Sequence, residues 1–140
     1  MSGPALTVDV ALLAGDPPAS ILLIERGSEP FKGSWALPGG FVDADERVAA
    51  AAARELREET GIDGVSLQLL GVYDTPGRDP RGATVSIVFL MRAGEELDAT
   101  GGDDAADARW FALGTLPELC FDHAIIIDDA VSFAASARRT

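Results

Sequence analysis

The sequence predicts an α/β protein in which helices flank a mixed β-sheet. Three observations predict it: β-branched segments on both sides of a long Ala/Glu/Leu/Arg stretch, a glycine that closes that stretch, and a second apolar-faced stretch near the C-terminus. No internal repeat or dividing linker interrupts the 140 residues, so one domain spanning 1–140 is expected, long enough to bury its own core.

Leu6–Leu13 and Ser20–Glu25 read as strands joined by a turn at Gly15-Asp16-Pro17-Pro18. Gly27–Ser34 reads as a polar loop, and Trp35–Val42 as a short extended piece broken by Pro38-Gly39-Gly40. Ala44 to Thr60 is the clearest helix. Asp43 is placed to cap it, Glu46 stands where a reciprocal capping-box carboxylate would, and Gly61 ends it. Strands are expected at Ser66–Asp74 and Thr84–Arg92 around the loop Thr75–Ala83, and at Ala108–Leu113 after the loop Ala93–Asp104. Asp122 is placed to cap a last helix running to Arg138, with Ile126, Ala130, Val131, Phe133 and Ala134 toward the sheet.

A content of 47% hydrophobic and 24% charged residues fits a soluble globular chain, and the longest apolar runs, such as Val85–Met91, are too short to span a bilayer. No basic-then-apolar segment opens the chain, which argues against a secretion signal. Cys120 is the only cysteine, which excludes an intramolecular disulfide and a cysteine-rich metal site, so a cytoplasmic location is expected. The net charge of -12, from 11 basic and 23 acidic side chains, opposes binding to a nucleic-acid backbone. A phosphorylated small molecule then requires bound cations to reverse the local sign. Most of the excess carboxylates read as solvated surface.

One group of carboxylates reads differently. Glu55, Glu58 and Glu59 stand at i, i+3 and i+4, on one face of the helix. Like charges there cost about a few tenths of a kcal/mol per pair, and acidic residues near a helix C-terminus oppose its dipole. Oxygen ligands gathered for Mg²⁺ or Mn²⁺ explain the arrangement. The helix alone leaves open an exposed face with Arg54 and Arg57 as counterions.

Gly40, five residues, Glu46, seven residues, then Arg54-Glu55-Leu56-Arg57-Glu58-Glu59-Thr60-Gly61-Ile62 match the Nudix box at every defined position. Trp35-Ala36-Leu37-Pro38-Gly39-Gly40 is similar to that family's usual entry to the box. The resemblance implies an α/β/α sandwich around a mixed β-sheet and a Mg²⁺ (or Mn²⁺) cofactor. It implies Glu55, Glu58 and Glu59 as metal ligands, with the Gly40 carbonyl as another, and Glu46 assisting through water or holding the loop. Arg54, four residues before Glu58, can orient that carboxylate. The glycines let the backbone bend and present a carbonyl. Ala49, Ala50, Ala53 and Leu56 read as packing. Family members take their general base from a box glutamate or from a later loop. On this chain the Ala93–Asp104 loop offers Glu95, Glu96, Asp103 and Asp104, and the last two are preferred because Gly101-Gly102 would let the loop close.

The loop Thr75-Pro76-Gly77-Arg78-Asp79-Pro80-Arg81-Gly82, followed by Val85-Ser86, resembles the matching segment of ADP-ribose pyrophosphatases in the same family. The implied reaction is hydrolysis of a nucleoside diphosphate linked to another moiety, with ADP-ribose giving AMP and ribose 5-phosphate. Arg78 and Arg81 can offer forked donors to phosphate or ribose, with solvated arginines of a Pro/Gly turn as the equal alternative. Arg26 and Lys32, beside the box entry, can also meet phosphate. Phe31, Trp35, Tyr73 and Phe111 could stack on adenine, but core packing is the favoured reading for each. His123 reads as a capping or packing residue and Cys120 as a small buried hydrophobe. Rival readings are cleansing of oxidised nucleoside triphosphates, NADH cleavage, and a nucleotide-sensing domain without catalysis. The family resemblance also implies a homodimer.

Overall fold

The computed structural model describes residues 3–102 and 105–137. At its centre lies β1 (Ala5–Ala14), buried at every position from Thr7 to Ala14. A strand covered on both faces needs apolar residues without alternation, which is what Val8–Ala14 supplies apart from Asp9. β1 pairs in parallel with β6 (Thr84–Ala93) along its whole length, from Ala5↔Thr84 to Ala14↔Ala93. Its antiparallel pairing with β2 (Ser20–Arg26) is confined to Leu13↔Ile21 and Ala14↔Ser20.

Beyond those two rungs the strands part. β2 pairs instead with β3 (Trp35–Ala36) and β7 (Ala105–Ala112). The short β4 (Gly39–Phe41) takes the edge of β1 that β2 has left, at Thr7↔Phe41, Val8↔Gly40 and Asp9↔Gly39. β5 (Gln68–Tyr73) closes the far side against β6. The sheet therefore forks between β1 and β2, and this fork makes room for a site.

Alternate residues of the sheet feed two cores. On one face Ala51, Ala52 and Leu56 of α1 (Val48–Thr60) pack on Val8, Val10, Leu12, Leu22 and Ile24. On the other, Ile126, Ile127, Ala130 and Ala134 of α2 (His123–Ala137) pack on Ala11, Leu13, Ile21 and Leu23. Val131 and Phe133 join the second core half-buried. The mixed sheet between helices is as the sequence predicts. Among the described residues no helix is long and apolar enough to cross a membrane.

Some boundaries differ. α1 begins at Val48 instead of Ala44, because Asp45 adopts a left-handed conformation (φ 63°) that a helix cannot pass through. Asp43 therefore does not cap it; Arg47 stands at the N-cap with no side-chain bond. The Glu46 carboxylate does accept the Asp43 N–H at 3.0 Å, but within the turn ahead of the helix. Gly61 ends α1 as expected, with φ 78° and its N–H donating to the Arg57 carbonyl at 2.9 Å. The later start also rotates the expected packing face: Leu56 is fully buried and Ala53 half-buried, but Ala49 and Ala50 are exposed and Ala51 and Ala52 take their place.

Candidate active site

β4 carries two glycines against α1, and both are needed. The Gly39 N–H donates to Glu59 Oε1 at 2.8 Å, tying the strand to the helix. A Cβ on Gly40 would lie 2.7 Å from the Glu55 carboxyl, so the absence of a side chain lets that carboxylate lie on the strand. Gly40→Ala is expected to keep the fold, because the end of the Glu55 side chain can give way. It should lower turnover and apparent metal affinity about 10- to 100-fold by displacing that carboxylate. A metal titration of the rate, beside a thermal melt, checks this. Gly39→Ala is the contrasting case: its Cβ would collide with the Val8 carbonyl and the Asp9 backbone, which cannot give way, so β4 should detach and the melt should fall.

Arg54 gathers the acidic face, and all five of its N–H groups are used. Nε donates to Glu46 Oε2 at 2.8 Å, and Nη2 donates to Glu46 Oε1 at 3.0 Å and to the Phe41 carbonyl at 3.1 Å. Nη1 donates to Glu55 Oε1 at 2.9 Å and to Glu58 Oε1 at 3.0 Å. The guanidinium, helped by the Asp43 N–H, holds the Glu46 carboxyl down at about 2. Those bonds in turn push the Arg54 pKa further up. Burial pushes the Glu55 carboxyl up, against the hydrogen bond from Arg54 that lowers it. Arg54 thus orients Glu46 and Glu55 as well as Glu58. Glu46, with both oxygens engaged, holds Arg54 and the turn at Asp43.

Beside this cluster a cleft of about 290 Å³ occupies the fork. Thr7 and Asp9 of β1 and Ile24 and Arg26 of β2 form its floor and side, with Gly40, Glu55 and Glu59 at one end. Arg78, Asp79, Arg81, Phe121 and His123 close the other. The arginines divide into two kinds. Arg78 forks onto Asp122 at 2.9 and 2.7 Å and is only 5% exposed, so it fastens the loop to the start of α2. This contact, and not an N-cap bond, is where the Asp122 carboxylate goes. Arg81 forks onto Asp79 at 3.1 and 2.8 Å but stays 42% exposed, over the rings of Phe41 and Phe121. Arg26 donates from Nε to the Pro30 carbonyl at 2.6 Å and lies over the Phe121 ring.

Other sequence candidates lie elsewhere. Trp35 meets Phe111 edge-on at 4.8 Å and packs against the second core, away from the cleft lining. Tyr73 donates its hydroxyl to Asp129 at 2.7 Å on the β5 side. Phe31 packs edge-on against Phe121 at 5.1 Å, and Lys32 is exposed. Glu95 and Glu96 are exposed and do not line the cleft. Asp103 and Asp104 lie outside the described residues. Their loop is stitched to α1: the Thr100 N–H donates to the Thr60 carbonyl at 3.0 Å, and Gly102 lies so close to the Glu58 carbonyl that a Cβ would clash. Cys120 is buried in the first core, where burial pushes its thiol up to about 12.

Two polar residues that line the cleft, Asp9 and His123, and Ser86 buried behind Asp9, are not brought together by the sequence. Asp9 is buried, and the Ser86 hydroxyl donates to its Oδ2. His123, also buried, accepts the Leu37 N–H on Nδ1 at 3.0 Å, and its Nε2 lies 3.8 Å from Asp9 Oδ1. Burial lowers the His123 pKa, against the raising influence of Asp9 and Asp122. A carboxylate in the middle of an apolar strand was the available signal.

The chain is similar to known proteins over most of its length. The NUDIX domain model matches residues 3–130. An ADP-ribose pyrophosphatase of Methanocaldococcus jannaschii is 50% identical over 127 residues, covering 90% of this chain and 72% of that protein. Another curated relative is spanned over only 53% of its length. Among solved structures, the NUDIX domain of Shewanella oneidensis NrtR complexed with ADP ribose is 29% identical with a TM-score of 0.85, covering 100% of this chain and 91% of that one. A bifunctional NMN adenylyltransferase/ADP ribose pyrophosphatase from Francisella tularensis, complexed with AMP and a manganese ion, is 32% identical with a TM-score of 0.82, covering 96% of this chain and 43% of that one.

Proposed function

We propose that this chain, which belongs to the NUDIX domain family, hydrolyses ADP-ribose to AMP and ribose 5-phosphate with a divalent cation, Mg²⁺ or Mn²⁺. The observation that carries the reading is the carboxylate cluster that Arg54 and Gly39 gather around Gly40, opening onto a cleft bordered by Arg26 and Arg81. The 50% identity to an ADP-ribose pyrophosphatase supports the choice of substrate.

The residues present fit a hard cation. Drawn together, the three carboxylates and the Gly40 carbonyl would be an all-oxygen donor set, and the missing Cβ of Gly40 is the cradle in which the Glu55 carboxylate lies. As they stand, Arg54 and the Gly39 N–H hold them, and among the described residues no three carboxylates converge as a formed metal site. Glu55, Glu58 and Glu59 would hold the ion, and it would compete with Arg54 for the first two. When bound, the cation supplies charge neutralisation and a more acidic attacking water. The protein's own groups do the rest. Arg54 fixes where the carboxylates stand, and the guanidinium groups of Arg26 and Arg81 accept the diphosphate in a chain otherwise hostile to anions. One water adds across one bridging P–O bond, its oxygen going to one phosphorus and its protons ending on the products. We assign the base to Asp103 or Asp104, which follow Gly102 in sequence.

Product analysis on a panel of ADP-ribose, NADH and oxidised nucleoside triphosphates, with and without Mg²⁺ or Mn²⁺, tests the reading. AMP from ADP-ribose, dependent on the cation, is expected. The NrtR domain complexed with ADP ribose favours a second reading, a domain that binds this ligand without cleaving it; tight binding with no product would establish it.

The two loop arginines should separate cleanly. Arg81→Ala is expected to lower kcat/KM for ADP-ribose roughly 10- to 150-fold, mainly through KM, by loss of a charge-assisted hydrogen bond. Arg78→Ala should show chiefly in the melt, because it leaves the Asp122 carboxylate unpaired at a cost of about 3–5 kcal/mol if the pair behaves as a buried one. Kinetics and melts on both variants decide it. Equal KM effects with equal stability would refute the division of roles.

A further inference from the structure

The cleft is lined by two polar groups, Asp9 and His123, that the box does not use and that no arginine hydrogen-bonds among the described residues, although Arg78 lies near enough to act on the charge of Asp9. Asp9 Oδ2 is taken by the Ser86 hydroxyl, while among the described residues no hydrogen bond engages Oδ1. His123 is fixed by the Leu37 N–H on Nδ1, which places its single ring proton on Nε2. Nε2 and Asp9 Oδ1 are 3.8 Å apart, too far for a direct hydrogen bond, and both residues line the cleft. An acceptor-only oxygen and a donor nitrogen thus stand side by side, each open to a third partner.

That combination selects chemistry. A phosphate oxygen can only accept, and Asp9 repels it. An exocyclic amino group on a base donates, but it does not accept from the imidazole. A hydroxyl does both: it donates to the carboxylate and accepts from the Nε2–H. The spacing suits one oxygen bonded to both groups. The position suits a sugar, because Asp9 is registered opposite Gly39, one residue from the Gly40 cradle and within reach of a group attached to the diphosphate.

Building on the activity proposed above, we propose that Asp9 and His123 bind one hydroxyl of a ribosyl group of the substrate and are specificity-determining residues for it. Ser86, behind Asp9, is a positioning residue. The two riboses of ADP-ribose offer the same chemistry, and substrates lacking one hydroxyl distinguish them.

The test compares wild type and Asp9→Asn on ADP-ribose, on its analogue deoxygenated in the adenosine ribose, and on its analogue deoxygenated in the terminal ribose. Wild type is expected to lose about 10- to 150-fold in kcat/KM on one of the two analogues, mainly through KM, the worth of one hydrogen bond to a charged group. Asp9→Asn should lose a similar factor on ADP-ribose and nothing further on that same analogue, since the partner hydroxyl is already gone. Wild type that treats all three substrates alike overturns the proposal without recourse to any variant. So does an Asp9→Asn loss of the same size on all three, which a merely structural role of Asp9 would give. If wild type releases no product from ADP-ribose at all, the activity reading itself falls, and this proposal falls with it.

Discussion

Glu58→Gln is expected to fold like the parent and to turn over roughly a hundredfold or more slowly, because the charge proposed to hold the metal is lost where the reaction develops negative charge. The substitution keeps an oxygen that can accept from Arg54 Nη1, now at 3.0 Å, and keeps side-chain volume. Glu58 is 39% exposed, so little packing is disturbed, and its repulsion with Glu55 and Glu59 on the same helix face is relieved. Stability should therefore stay within about 0.5 kcal/mol of wild type. Turnover across a Mg²⁺ titration, alongside a melt, measures both. An unchanged kcat in a folded variant removes Glu58 from the metal set.

The second large effect is expected at Arg54. Its replacement by Ala removes five hydrogen bonds together and leaves Glu46, Glu55 and Glu58 facing one another with no cation among them. The fold should loosen at β4, since the Phe41 carbonyl loses its donor. Turnover should fall about 10- to 100-fold, as for loss of a group that aims metal ligands. Raised Mg²⁺ should restore part of the rate by supplying the missing positive charge. Arg54→Lys should recover less than its charge suggests, because one ammonium cannot fork onto Glu46 and also reach Glu55 and Glu58. Activity that falls while the metal dependence stays at the wild-type value would assign Arg54 a different task.

What the sequence made legible was local. Glu55, Glu58 and Glu59 share a face because helical geometry puts them there, and Gly61 ends the helix because its left-handed φ suits glycine. Where the sequence erred, longer-range forces had decided. Asp43 and Glu46 look like a capping box, yet they serve a turn that delivers Glu46 to Arg54, eight residues on. Arg78 looks like a free guanidinium in a glycine-rich loop, and its partner Asp122 lies 44 residues away. Asp9 meets Ser86 across 77 residues, in a parallel pairing that no local pattern announces. For Trp35 the favoured sequence reading, core packing, is what β3 produces by directing it onto Phe111 and the second core.

The parallel ladder has a kinetic consequence. Each rung between β1 and β6, from Ala5↔Thr84 to Ala14↔Ala93, joins residues 79 positions apart (84 − 5 and 93 − 14). Loop closure on that scale costs chain entropy before any contact repays it, so high contact order should make folding slow for a chain of this size. β4 is three residues long and rests on β1, which the ladder anchors along its whole length, so β4 is expected to dock after the ladder forms. A half-folded chain can wind the helix that bears the glutamates, but it has no Gly40 backbone to set them against. Catalytic competence should thus arrive with the final step of folding, and its onset during refolding should coincide with full native order.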